Sequence, residues 1–267
     1  MTTDTTHPVP LDATWIQRAL LLSKEAGWNQ NAADWAVFFA HGTVLGFTVG
    51  ERLVATAAAL PYGEELGWIS MVLVTPEWRR RGLAHQLVAA CTAVLRNCGR
   101  AAFLDAAPAA ISIYAALGFV PLCGMERWEG DGGAVAATGT SADLALDRFA
   151  FGADRHFLFE DFLSRPDSLA MHSANGFAIL RRGSAASHLG PIVAEPGDAS
   201  LLLVERGIRA ASGRVLVDVL DAGRGIIPQL AALGFQQRRC FTRMALGLTS
   251  LPGNPAWLLA AAGPEFG

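Results

Sequence analysis

At 267 residues, the chain has room for one large domain or two modest ones. Hydrophobic residues make up 52% and charged residues 17%, below the roughly 25% charged of an average globular protein, which excludes intrinsic disorder. With 21 Lys plus Arg against 24 Asp plus Glu, the formal charge of -3 gives no overall positive field to hold a polyanion, so nucleic acid is excluded as a partner. Apolar stretches such as Leu53–Leu60 and Trp257–Ala262 are far shorter than the roughly 18 residues a bilayer span needs, so no membrane partner is expected. Met1–Pro10 is polar, without the basic start and apolar middle of a secretory signal, and a cytoplasmic protein is the expectation. Cys91, Cys98, Cys123 and Cys240 show no CxxC spacing and the six histidines no HExxH pairing, so reduced thiols and no metal site are expected.

In chain order, Asp12 can cap a helix that carries Trp15, Ile16, Ala19, Leu20 and Leu22 on one side, with Gly27 just past its end. A second short helix starts near Asn29–Asn31 and stops at Gly42. Val44–Val49 and Leu53–Ala59 then read as a hairpin about Gly50-Glu51-Arg52. Leu66–Val74 is apolar at nearly every position, the mark of a strand covered on both faces, and Pro76 ends it. From Arg79 the period changes: Leu83, Leu87, Cys91, Val94, Leu95 and Cys98 form the stripe of a long amphipathic helix closed by Gly99. Ala101–Asp105 is a short buried strand, Pro108 opens a helix running to Leu117, and Phe119–Trp128 is extended. Strand, long helix, strand, short helix, strand describes a domain containing a βαβ unit.

Glu129–Ser141 holds four glycines among small residues and reads as an interdomain linker. Beyond it a helix is expected over Ala153–Leu163, a hairpin over Leu169–Ser173 and Phe177–Arg182, and a strand over Leu189–Ala194. A helix capped by Asp198 runs to Ala211, then come a strand Arg214–Leu220, a short helix ending at Gly234 and strands around Phe235–Leu248. This repeats the order of the first half. Tyr114-Ala-Ala-Leu-Gly-Phe119 and Leu230-Ala-Ala-Leu-Gly-Phe235 each follow a strand holding an aspartate, Asp105 or Asp218, and duplication explains the match better than chance.

The segment with most chemical content is Val72-Leu-Val-Thr-Pro-Glu-Trp-Arg-Arg-Arg-Gly-Leu-Ala84, where a buried strand turns into a helix. The first N–H groups of a helix lack internal partners and carry the positive end of its dipole, so they suit a pyrophosphate. Gly82 removes the side chain that would block approach, and Arg79, Arg80 and Arg81 add charge. A solvated basic turn is the plain alternative, but cations at a helix start oppose the dipole unless an anion neutralises them.

This segment resembles the acyl-coenzyme A motif of the GNAT superfamily of N-acetyltransferases, (Arg/Gln)-x-x-Gly-x-(Gly/Ala), with Arg79, Gly82 and Ala84 at its fixed positions and Val74 and Pro76 closing the strand before it. The short helix ending Tyr-x-x-x-Gly-Phe at Tyr114, Gly118 and Phe119 stands where that family has it. A Rossmann site fits less well, because G-x-G-x-x-G is absent. The resemblance implies an α/β fold (an α+β mixed sheet) of two tandem GNAT-like domains: 1–130 with the acetyl-CoA site, a linker 131–141, and a degenerate copy 142–267.

It further implies that the backbone of Val72, Leu73 and Val74 pairs with the pantetheine arm, that Arg79, Arg80, Arg81, Gly82, Leu83 and Ala84 bind the pyrophosphate, and that the Tyr114 hydroxyl protonates the departing sulfur. A backbone N–H near Leu73 would serve the oxyanion. The asparagine often found seven residues before the tyrosine is Ala107 here, and no general base is evident: Glu64 and Glu65 could deprotonate the ammonium through water, but acidic residues at a turn are more often plain solvated charges. Trp28 and Asn29, between the first two helices, are the candidates for acceptor contact, against a reading of Trp28 as a staple and Asn29 as a cap. In the second half the turn reads Ala194-Glu-Pro-Gly-Asp198 and Leu230 replaces the tyrosine, so that copy should not bind the cofactor; it would wall the acceptor site or form a subunit contact in a homodimer. The implied activity is direct transfer of an acetyl group from acetyl-CoA to the primary amine of a small molecule. A catalytically silent acyl-CoA binder and a protein or peptide N-acetyltransferase are the alternatives.

Overall fold

The computed structural model describes residues 6–135, 139 and 141–267. Its first strand, β1 (Val9–Leu11), falls in a stretch the sequence reading left polar, since three residues are too few to show a period; it pairs antiparallel with β2 (Thr43–Val49). Asp12 caps a 3-10 turn by accepting from the Thr14 N–H at 3.0 Å, and α1 (Ile16–Glu25) continues from it. Asn31, with Asp34 in a reciprocal capping box, starts α2 (Ala32–His41). β2, β3 (Arg52–Tyr62) and β4 (Leu66–Val74) form the expected antiparallel meander. The long helix α3 (Leu83–Asn97) begins four residues after Arg79, because Arg80 (φ 61) and Gly82 (φ 78) take left-handed conformations that no helix interior accommodates. β5 (Ala101–Ala106), α4 (Ile111–Ala116) and β6 (Val120–Asp131) complete the half.

The start of the expected linker is not free chain. Glu129–Asp131 continue β6, and the N–H groups of residues 132–135 donate to carbonyls of Gly213, Ile208, Ala211 and Arg209 at 2.7–3.0 Å. Residues 136–138 and 140 of that segment lie outside the described residues.

In the second half, the helix expected over Ala153–Leu163 forms as α6 (His156–Ser164), and a further helix outside that expectation, α5 (Leu144–Phe151), precedes it, the two separated where Gly152 turns left-handed at φ 87. The hairpin β7 (Leu169–Ser173) and β8 (Gly176–Arg182) forms as read, followed by β9 (Ser187–Ala194), α7 (Asp198–Ala210), β10 (Arg214–Leu220), α8 (Ile227–Ala232) and β11 (Gln236–Leu246). A short strand β12 (Leu258–Ala260) ends the series.

Among the described residues, twelve strands form one mixed sheet in the order β1-β2-β3-β4-β5-β11-β6-β10-β12-β9-β8-β7. The two halves therefore exchange their last long strands: β11 pairs with β5, β6 pairs with β10, and β6 and β11 pair with each other, all antiparallel. A buried ion pair accompanies each exchange. Arg243 on β11 holds Asp105 on β5 with two contacts of 2.9 Å, and Arg127 on β6 holds Asp218 on β10 with two of 2.7 Å. Burial follows the same logic. One face of the sheet carries a core shared by both halves, with Trp35, Phe38, Tyr62 and Trp68 against Phe151, Phe159, Phe162 and Phe266; the other core clusters are separate, one containing α3 residues and one containing α7 residues.

Candidate active site

β4 and β5 run parallel only over Leu66–Trp68 and Ala101–Phe103; beyond that they diverge into an open V. Along the divergent part of β4 lies a bulge, where Met71 takes φ 54 and the β3–β4 register slips between Thr56 and Ala58. Thr56 Oγ1 donates to the Met71 carbonyl at 2.9 Å, and across the trans peptide the Val72 N–H points the opposite way, toward the side β5 has left.

At the outer end of the V lies the arginine-rich turn. Gly82 caps α3, and a Cβ added there would meet nothing nearer than Gln86 Nε2 at 4.0 Å, so its hydrogen faces open space. The Gln86 N–H is the first to find a helical partner, the Gly82 carbonyl at 3.1 Å. Among the described residues, the N–H groups of Arg80 through His85 have no acceptor in the protein. Arg79 Nε donates to the Val74 carbonyl (3.1 Å), and Arg81 donates to the Glu77 carbonyl (3.0 Å) while lying over the Trp78 ring. None of the three arginines is ion-paired to a carboxylate among the described residues, and the Arg80 side chain has no partner there.

At the inner end, a cavity of about 200 Å³ joins the V to the α1–α2 loop. Val72, Ala107, Ala110 and Tyr114 line it from one side, and Trp28, Asn29 and Gln30 from the other. Tyr114 is buried and its hydroxyl has no hydrogen-bond partner among the described residues; burial pushes its pKa up to about 12, so it stays a proton donor at neutral pH. The Asn29 amide is committed elsewhere. Its Nδ2 donates to the Ala186 carbonyl (3.0 Å) and its Oδ1 accepts from the Ala185 and Ala186 N–H groups (2.9 Å each), clamping the loop to the turn between β8 and β9. It is not a helix cap either, since Asn31 fills that place.

A model of the acetyltransferase (GNAT) family matches residues 13–119, and a second model, an acetyltransferase (GNAT) domain, matches residues 144–258. The chain belongs to the GNAT family. It is a tandem of two such units. A protein of Pyrococcus horikoshii assigned as an acetyltransferase has the same fold along almost the whole length: TM-score 0.84, 15% identity, 99% of this chain and 98% of that one covered. A tandem GNAT protein from the clavulanic acid biosynthesis pathway superposes at a TM-score of 0.58 with 17% identity, over 91% of this chain and 99% of that one. A GCN5-related N-acetyltransferase from Sphaerobacter thermophilus gives 0.60 with 15% identity, over 94% and 98%. No curated protein matches the sequence.

The second GNAT unit has the same splayed pair with a different content. β9 and β10 pair only at Ser187–His188 and Val215–Leu216, and β12 fills the gap beyond, pairing with β9 at Leu258 and Ala260 and with β10 at Ala260. The chain's own backbone lies where the first unit is open. The turn into α7 is closed as well: Ser200 Oγ donates to the Gly197 carbonyl at 2.6 Å, Asp198 opens the helix, and Glu195 accepts from Asn175 Nδ2 at 2.9 Å. Leu230, opposite Tyr114 in the repeat, is wholly buried.

Several GNAT cavity residues escaped the sequence reading because they come from far along the chain. Arg127 lies on β6, Arg239 and Phe241 lie on β11, and Pro264 and Glu265 follow β12. Glu265 is 6% exposed; its Oε1 accepts from Arg181 Nη2 at 2.7 Å, and Arg181 reaches Asp34 at 3.2 Å. Trp68 Nε1 donates to the Pro264 carbonyl at 2.9 Å and Tyr62 donates to the Phe266 carbonyl at 2.8 Å, fixing the tail beside the V. The duplication read from the Ala-Ala-Leu-Gly-Phe repeat gave only the general expectation that the second half walls the acceptor site, not which of its residues do so.

Proposed function

We propose that the chain is an acetyl-CoA-dependent N-acetyltransferase that acts on the primary amine of a small molecule, with the first unit active and the second unable to bind the donor. The observation that carries this reading is the row of unpartnered N–H groups from Arg80 to His85 at the mouth of an open V, with an unpartnered Tyr114 hydroxyl at its inner end. The donor set fits a pyrophosphate: main-chain N–H groups at a helix start, three arginines free of carboxylates, and a glycine whose missing side chain leaves the approach clear. Val72, Leu73 and Val74 offer a strand edge without a neighbour, which suits the extended amides of pantetheine. Leu83 and Ala84 supply the first helical N–H groups.

The chemistry asked of the protein is small. The amine nitrogen bonds to the thioester carbonyl carbon and the carbon–sulfur bond breaks. The Val72 N–H stabilises the oxyanion between those events, Tyr114 gives its proton to the sulfur, and the one proton shed by the neutral amine passes through solvent to the tyrosinate and restores the hydroxyl. Trp28 supplies an apolar wall for the acceptor, and the second unit holds that wall in place through Asn29.

The test is titration calorimetry of acetyl-CoA into the protein, followed by thiol release over a panel of amines. Binding near one equivalent per chain and turnover above background support the reading. Binding without turnover on any amine or peptide identifies a silent binder, and two equivalents per chain overturn the inactive second unit.

A further inference from the structure

We propose that the acceptor carries a carboxylate beside its amine, and that Arg239 is the residue that selects it; this rests on the transferase reading above. The cavity wall facing Tyr114 is built by β6 and β11, where Arg127 and Arg239 stand directly opposite each other in the antiparallel register. Like charges in directly opposed positions repel, so such a pair needs a compensating anion. Arg127 has one, since Asp218 holds its Nε and Nη2 at 2.7 Å each. Arg239 has none: it is an exposed residue that lines the cavity, and its side chain bonds to no group among the described residues. The register slip that leaves Arg238 unpaired brings Arg239 rather than its neighbour opposite Arg127. A planar five-donor fork left unpaired beside a substrate cavity suits a carboxylate, which it can hold in a bidentate manner.

A second observation points to a ligand with a cationic end. Gln30 lines the same cavity, is 6% exposed, and its buried Oε1 has no partner. Leaving such an acceptor unsatisfied is costly unless a ligand donates to it. Ser70, 7% exposed, also lines the cavity with an unpartnered Oγ. Glu265 lines the cavity too; Arg181 holds its Oε1, and its Oε2 makes no hydrogen bond among the described residues. Acceptor oxygens from Gln30 and Glu265 together with a free guanidinium from Arg239 match a molecule with an ammonium and a carboxylate, the arrangement of a free amino acid. Trp28, Met71 and Phe241 leave apolar room for its side chain. A peptide N-terminus lacks the adjacent carboxylate.

The experiment measures thiol release from acetyl-CoA with the standard L-amino acids, each paired with its carboxamide and its decarboxylated amine, and with one N-terminal peptide. The expected result is that the best acids exceed their carboxamides by about 10- to 100-fold in kcat/KM, mainly through KM, the scale of one charge-assisted contact. Arg239→Glu should reverse the preference toward the decarboxylated amine, and Arg239→Lys should keep the preference for the acid in weakened form. If acids, amides and decarboxylated amines turn over equally and Arg239→Glu leaves their ratio unmoved, the carboxylate inference is overturned while the transferase reading stands. If no acceptor of any class turns over, the transferase reading itself fails.

Discussion

Two clefts of common design sit in one sheet, one between β4 and β5 and the other between β9 and β10, and they have opposite contents. The first is open, lined by unpartnered N–H groups and followed by a glycine-capped helix. The second is filled by β12, and its helix start is closed by Ser200 and flanked by Glu195 and Asp198. A splayed strand pair creates an edge with unmet hydrogen bonds, and those must be met by a ligand or by the chain. Architecture alone thus leaves a splayed strand edge in each half, which β12 covers in the second and no strand covers in the first among the described residues.

The largest expected effect comes from cutting the exchange. Fragments 1–135 and 141–267, expressed apart, should each lack a cooperative urea transition, and a mixture should recover one; a fragment that unfolds cooperatively alone would break the account of shared strands. Next is Arg127→Leu, which leaves the buried Asp218 carboxylate with His188 as its remaining side-chain partner: a loss of about 3 kcal/mol in urea-determined stability is expected, and a smaller one for the double change with Asp218→Leu, which removes the buried charge but also the partner of His188 Nε2. Burial alone would raise the Asp218 carboxyl, but Arg127 and His188 outweigh it and hold the group below the usual carboxylate range. Its share of stability is therefore present above its unfolded pKa of about 4 and is lost as pH falls below that value, so the gap in urea midpoint between wild type and the double variant should shift against the wild type from pH 7 to pH 3.

On the ligand side, Gly82→Glu should weaken acetyl-CoA about 100-fold or more by calorimetry, since it places a carboxylate where the phosphates are expected and strains a left-handed position. The corresponding change in the second unit, Asp198→Arg, should leave that affinity within twofold. Smaller still, Tyr114→Phe should lower kcat about 10- to 100-fold with the donor Kd unchanged, whereas Leu230→Phe should affect stability alone. A donor affinity that responds to Asp198 would mean that the two clefts differ less than their contents suggest.

Element order, the hairpins and the long α3 stripe were legible in the sequence because period and turn chemistry are local signals. The turn from Val72 to Ala84 and Tyr114 were legible for the same reason, as a motif within one strand, helix and following helix. What escaped is what distance along the chain conceals. β12 has three residues and no period, the partner strand of β5 lies in the other half, and Glu265 and Arg239 reach the cavity only through that pairing. Asn29 shows the converse: its type suited ligand recognition, but tertiary contacts with Ala185 and Ala186 occupy its oxygen twice and one of its two N–H donors.

The strand exchange also has a consequence for biosynthesis. β5 ends at Ala106 and its neighbour β11 spans Gln236–Leu246, so the nascent sheet must wait for nearly the whole message to be read before that edge is covered. At ribosomal speeds this delay is on the order of ten seconds. Throughout it, an uncovered hydrophobic strand edge is available to other chains on the same polysome, which makes this a protein whose yield should depend on chaperones that shield nascent polypeptides.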